Sequence, residues 1–176
     1  MKDNDFSILD FGCGLGGLYT FLKRRYTNFR YKGVDIVKEF INENKRNFPA
    51  VSFELISSYE AIQNQFDYII SSGVFNIQYS PGTSNEPYIF KAISHLFSMA
   101  SVSLSLDFMH DEVDYQQENA HHQNIISLYS FVIENLSRRV IIDRSTFPYE
   151  FTITIFKNQT IARPENLYEE IHAFRK

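Results

Sequence analysis

Cysteine is nearly absent from this 176-residue chain. Cys13 is the single one, so no intrachain disulfide can form. Nor does it read as a reactive thiol. It lies in a glycine-rich loop with no histidine or other base near it in sequence, which fits a small residue filling a tight turn. Basic charge is short as well: 17 Lys and Arg stand against 21 Asp and Glu, for a net charge of -4 and a pI near 5.7. A strong nucleic-acid binder needs a basic surface to neutralise phosphates, so that class is set aside. Lys23, Arg24 and Arg25 read as a solvated helix end. No apolar run approaches a membrane span, and the polar start, Met1 to Asp5, is unlike a secretory signal. The expectation is a cytoplasmic protein with no membrane partner, in which the Asn135 and Asn158 sequons are chance matches. Repeats and low-complexity segments are lacking too. The hydrophobic share, 44%, and the mean hydropathy, -0.26, suit a globular chain able to bury one sizeable core. One domain over residues 1–176 is expected, with 158–176 as a C-terminal helical tail.

What is present is concentrated near the start. Phe6 to Phe11 is an apolar run that reads as a buried strand. It turns into Gly12-Cys13-Gly14-Leu15-Gly16-Gly17, after which Leu18, Tyr19, Phe21 and Leu22 begin a helical pattern. Such a strand–loop–helix turn is a cradle: its glycines let a ligand lie against the backbone, and free N–H groups open the helix. Gly12, Gly14 and Gly17 fit the dinucleotide fingerprint. Asp10, two residues before the first glycine, points elsewhere. Its carboxylate would repel a pyrophosphate and suits a cationic or hydrogen-bond-donating ligand. The next strand, Tyr31 to Asp35, ends in an acid able to accept bonds from ribose hydroxyls.

Ile8-Leu9-Asp10-x-Gly12-Cys13-Gly14-x-Gly16 resembles motif I of the class I S-adenosylmethionine-dependent methyltransferases, which are Rossmann-like. Lys32-Gly33-Val34-Asp35-Ile36 resembles their second motif, and Phe66 to Gly73 the segment on strand four. The resemblance implies S-adenosylmethionine as cofactor. It implies contact of Asp10 with the methionine amino group, a steric role for Gly12, Cys13, Gly14 and Gly16, and Asp35 on the ribose. Ile36, Ser57 and Ser72 would complete the cofactor wall. The family usually places an acid after strand three for the adenine amino group; here stand Ser57 and Ser58, leaving Glu60 or a backbone carbonyl for that contact.

Strand and helix patterns alternate along the chain, which gives an α/β doubly wound, mostly parallel sheet with right-handed crossovers and helices on both faces. A helix is expected over Gly16 to Tyr26, a fifth strand over Val102 to Phe108, and two closing strands at Val140 to Asp143 and Phe151 to Phe156. Their short link implies an antiparallel last strand. By resemblance the seven strands take the order 3-2-1-4-5-7-6. The family's helices before strand one are lacking ahead of Phe6. That leaves an open site, a cover from another element or a second subunit in a homo-oligomer, or a shortened chain.

The chemistry is fainter. The Asn-Pro-Pro-Tyr type of motif carried by enzymes that methylate base or amide nitrogen is replaced by Ser72-Gly73-Val74-Phe75-Asn76. Asn76 is the candidate for orienting an acceptor and His110 for general base. Phe75 and Tyr149 are the candidate pocket walls. His110, Asp111, Glu112, His121 and His122 match no metal-ligand spacing, and no metal is expected. The polar stretch Met109 to Gln123 is long enough for a lid or substrate loop. The first reading is a methyltransferase acting on oxygen or nitrogen of a small molecule, such as a sugar or other metabolite, resembling uncharacterised bacterial members. A catalytically weak cofactor- or partner-binding module of the same fold is the alternative. A nicotinamide-dependent oxidoreductase is the third reading.

Overall fold

Phe6–Phe11, here β1, runs through the middle of a sheet, which is why it is apolar on both faces. The computed structural model describes residues 5–79 and 82–158. After β1 come α1 (Gly17–Leu22), β2 (Phe29–Asp35), α2 (Lys38–Asn47), β3 (Ser52–Leu55) and β4 (Phe66–Ser71). Then follow α3 (Glu86–Met99), β5 (Ala100–His110), β6 (His122–Gln123), α4 (Ile125–Asn135), β7 (Val140–Asp143) and β8 (Glu150–Phe156). Short 3-10 turns lie at Tyr59–Ala61 and Val74–Asn76.

The strand order is β3-β2-β1-β4-β5-β8-β7, with β8 antiparallel to β5 and β7. This is the expected path. The count differs by one, because the two-residue β6 pairs in parallel with Met109 and His110 of β5. The first helix is shorter than expected, and the fifth strand longer: His110, expected in a loop, is the last residue of β5. The tail lies, from residue 159 on, outside the described residues.

Two apolar clusters separate the faces. Leu9, Ile69, Leu104, Leu106 and Phe108 meet Ile89, Ile93 and Leu96 of α3 and Leu128 and Val132 of α4. On the opposite face Phe6, Ile8, Tyr31 and Phe53 meet Leu22 of α1 and Ile41 of α2. Successive strand residues point to opposite faces. Along β5, therefore, Leu104, Leu106, Phe108 and His110 enter the first cluster, and Ser105 and Asp107 point the other way. Ser105 Oγ meets Thr154 Oγ1 of β8 there, at 2.9 Å. Asn124 caps α4 by accepting the Ser127 N–H at 2.9 Å. These contacts fix the carboxyl ends of β1, β2, β4 and β5 along one rim, where open parallel sheets bind ligands.

Candidate functional site

At that rim the chain leaves β1 through a left-handed turn. Gly12 has φ +81°, and a Cβ there would sit 2.0 Å from Cγ2 of Val74, so the loop and the turn after β4 touch where only a hydrogen fits. Gly16 is the tight position at the helix entry, with Asn44 Oδ1 and the Phe48 ring near 3 Å from its would-be Cβ. Gly17, the third glycine of the dinucleotide fingerprint, has nothing within 4 Å. The packing therefore selects glycines at 12 and 16, the spacing of motif I.

The loop is held from below. The N–H groups of Gly12 and Cys13 donate to the Val34 carbonyl at 2.8 and 2.9 Å. Asn44 Nδ2 donates to the Gly14 carbonyl at 2.7 Å. Asp35 accepts the Gly14 N–H on Oδ2 and the Val37 N–H on Oδ1, both at 2.9 Å. Each carboxylate oxygen has a second lone pair. Asp35 therefore remains able to accept two more bonds from a ligand.

Beside it opens a cavity of about 370 Å³, within the ~300–1,000 Å³ typical of small-ligand sites. Gly12, Gly14, Asp35, Ile36, Ser57 and Ser72 line it, with Phe40, Val74, Ile77, Tyr79 and Tyr88 as a largely apolar far wall. Six of the nine residues expected to hold the cofactor thus face one space. Burial pushes the Tyr79 phenol up to about 12, with Tyr88 adding to the shift.

The other three lie behind it. Asp10 is buried beneath the loop, outside the cavity wall, and accepts the Tyr31 hydroxyl at 2.6 Å. Burial pushes its carboxyl up to about 6, against the Tyr31 bond; the charge of Asp35 adds to the rise. Cys13 is buried, and that burial, with the charges of Asp10 and Asp35, pushes its thiol up to about 12. It is an inert packing residue. Gly16 is taken up in the helix entry.

The expected acceptor pocket does not assemble. Phe75 is 1% exposed, stacked between the rings of Phe11 and Phe108 in the core. Asn76 is a latch: its Oδ1 accepts the Met109 N–H and its carbonyl the His121 N–H, both at 2.9 Å. His110 is 2% exposed, because its place on β5 turns the ring into the core against Phe151. Its Nδ1 accepts the Glu112 N–H at 2.7 Å. Tyr149 gives its carbonyl to the His110 N–H and leaves its side chain exposed. Glu60, one alternative for the adenine contact, is turned onto the Ser58 hydroxyl outside the cavity wall. Among the described residues no three His, Cys, Asp or Glu side chains converge, and no helix is long and apolar enough to cross a membrane.

Two residues that sequence reasoning passed over do work at the site. Asn44 is one of several polar residues of α2, and its burial beside Gly14 sets it apart. Asp107 accepts the Gly73 N–H on Oδ1 at 2.6 Å and the Ser72 hydroxyl on Oδ2, and so fixes the turn that walls the cavity. The one signal for it was an acid alternating with apolar residues near a strand's carboxyl end.

A rim of this kind, with a glycine turn after strand one and an acid after strand two, defines a nucleoside-binding α/β domain with an antiparallel last strand. Residues 8–96, just over half of the chain, match the family model described as methyltransferase domain, and the chain belongs to that family, whose members use S-adenosylmethionine. The nicotinamide reading is thereby dropped. A candidate methyltransferase of Mycobacterium tuberculosis is 23% identical over 155 residues, which span 86% of this chain and 93% of that protein. The fold is similar to magnesium protoporphyrin IX methyltransferase of Synechocystis PCC 6803 with bound S-adenosylhomocysteine. There the TM-score is 0.69 at 19% identity, over 89% of this chain and 76% of that one. It is also similar to a candidate S-adenosylmethionine-dependent methyltransferase of Listeria monocytogenes, with TM-score 0.63 at 15% identity over 90% and 94% of the two chains.

The residues present fit that cofactor. Asp35 offers lone pairs to paired hydroxyls, the glycine turn offers bare backbone, and Ile36, Ile56 and Val74 offer apolar contact to a flat base.

Proposed function

We propose that the protein transfers the methyl group of S-adenosylmethionine to oxygen or nitrogen of a small molecule. The observation that carries this reading is Asp35, pinned by the Gly14 and Val37 N–H groups at the edge of the large cavity. When bound, the cofactor supplies a methyl group on an already activated sulfonium. The chain has then to bind, align and dehydrate. Asp35 holds the ribose hydroxyls, Ile36 and Ser57 flank the base, and Gly12 and Gly14 let the amino-acid arm pass along the backbone. Ser72 and Gly73 form the wall opposite the glycine loop. Asp10 places negative charge beneath the loop, where a cationic amino group would find it. The binding-only alternative draws support from Asn76 and His110, both tied up in the fold.

Thermal denaturation tests the reading. S-adenosylhomocysteine at a hundredfold excess over its Kd adds about 2.7 kcal/mol of stability, while NAD and NADP leave the melting temperature unchanged. A shift with NAD and none with millimolar S-adenosylhomocysteine contradicts it. Turnover across an acceptor panel separates the enzyme from a binding module.

A further inference from the structure

On the side away from the glycine loop, the large cavity ends in phenols. The glycine loop leaves β1, Asp35 closes β2, and β3 lies on the far side of β2. A nucleoside with its ribose on Asp35 and its amino-acid arm along the glycine loop therefore turns its base toward the end of β3. Three rings stand there in a row. Tyr59, in the turn after β3, is buried and meets the Tyr88 ring edge-on at 5.5 Å. Tyr88 meets the Tyr79 ring in the same way at 5.1 Å. All three line the cavity, while Tyr79 and Tyr88 stay 46% and 42% exposed. The buried Asn85 sets this pair. Its Nδ2 donates to the Ile77 carbonyl at 2.8 Å, its Oδ1 accepts the Tyr79 N–H at 3.4 Å, and its carbonyl accepts the Tyr88 N–H at 3.0 Å. Among the described residues neither phenol oxygen of the pair has a hydrogen-bond partner. Asp35 is the single charged side chain among the described residues that line the cavity.

We propose that Tyr79 and Tyr88 read the edge of the purine with their hydroxyls, in place of a carboxylate, and that the site therefore takes a 6-oxo purine nucleoside as well as a 6-amino one. The inference rests on the methyltransferase reading above. A carboxylate only accepts. It takes the amino N–H of adenine and leaves the carbonyl of hypoxanthine unpaired, which discriminates by orders of magnitude. A phenol both donates and accepts, and its O–H turns to suit its partner. Adenine presents an amino donor beside a ring-nitrogen acceptor, and hypoxanthine presents a carbonyl acceptor beside a ring N–H donor. Two hydroxyls serve either order by exchanging roles. Burial pushes both phenols up, with Tyr88 adding to the rise at Tyr79, and Tyr59 and Glu60 adding to it at Tyr88. Both keep their protons at neutral pH and remain donors.

Calorimetric titration of the full chain with S-adenosylhomocysteine, and separately with S-inosylhomocysteine, tests this. The two ligands are expected to bind within about tenfold of each other, the worth of one hydrogen bond. Tyr79→Phe and Tyr88→Phe keep the rings and remove the hydroxyls. Each should weaken both ligands by about two- to tenfold, with the ligand-free melting temperature unchanged. Should a variant fail to fold, the comparison of the two ligands on the parent chain decides alone. Rejection of S-inosylhomocysteine by more than about a hundredfold, as an acid or a backbone carbonyl at the base would impose, overturns the proposal. So does unchanged affinity for both ligands in the chain carrying both Phe replacements. Either result beside intact S-adenosylhomocysteine binding sinks the base reading alone. Absent S-adenosylhomocysteine binding in the parent sinks the cofactor reading and the tyrosine assignment with it.

Discussion

Asp35 at the end of β2 and Asp107 near the end of β5 are built alike and were not equally visible. Each carboxylate accepts two bonds from its own chain, and each faces a cavity. Asp35 is held by two backbone N–H groups, one of them in the glycine loop. Asp107 is held by a hydroxyl and one N–H from the turn after β4. The cofactor side is thus built on two turns that adjacent residues mark, the glycine loop after β1 and the Asp35 turn after β2, tied to each other by the Gly14 N–H bond to Asp35. The other side exists through strand register, which places Asp107 opposite Thr152 across β5 and β8. A turn can be read from its own residues; a register needs the whole sheet.

The largest effect that would break this comparison falls on the turn. Gly12→Ala puts a methyl group at φ +81° and into the Val74 side chain. It should cost about 2–5 kcal/mol in all, read as a lower urea midpoint, together with loss of S-adenosylhomocysteine binding. Adding Val74→Ala to Gly12→Ala should restore part of the stability, because it relieves the clash and leaves the backbone strain. A stable Gly12→Ala would mean that the turn does not constrain the cradle.

Next is the buried acid below the loop. The Asp10 carboxyl is pushed up to about 6, so the folded state holds its proton more tightly than the unfolded chain does. The contribution of Asp10 to stability therefore falls as pH rises from about 4 to 6. Asp10→Asn, which keeps an acceptor for the Tyr31 hydroxyl, should be more stable than the parent at pH 7 by up to roughly 3 kcal/mol. That gain should vanish below about pH 4. Urea titrations at the two pH values measure it, and an equal effect at both would mean that burial of this charge is not what Asp10 costs the fold.

Much of this was legible from particular residues. The run Phe6 to Phe11 identified the central strand, and the motif spacing singled out Gly12 and Asp35, which line the cavity; Asp10, expected against the ligand, lies instead buried under the loop on the Tyr31 hydroxyl. His110 was misplaced by two residues of strand length. Once β5 continues to His110, alternation turns the ring into the core. Phe75 was misread for a related reason, since its turn packs the ring between Phe11 and Phe108. Asp107 stayed hidden because its partners lie more than thirty residues away in the chain. Asn44 stayed hidden because its helix face is defined by the loop it supports.

The most direct test of the central claim, that the β2-side carboxylate is the nucleoside anchor, is calorimetric titration of S-adenosylhomocysteine into Asp35→Ala and Asp107→Asn side by side. Asp35→Ala removes bonds to a charged acceptor worth roughly 1.5–3 kcal/mol, so affinity should fall by about one to two powers of ten. Asp107→Asn retains an acceptor for the Gly73 N–H and should stay within about threefold of the parent, less than ~1 kcal/mol. Unchanged affinity in Asp35→Ala, or a larger loss in Asp107→Asn, would contradict the account.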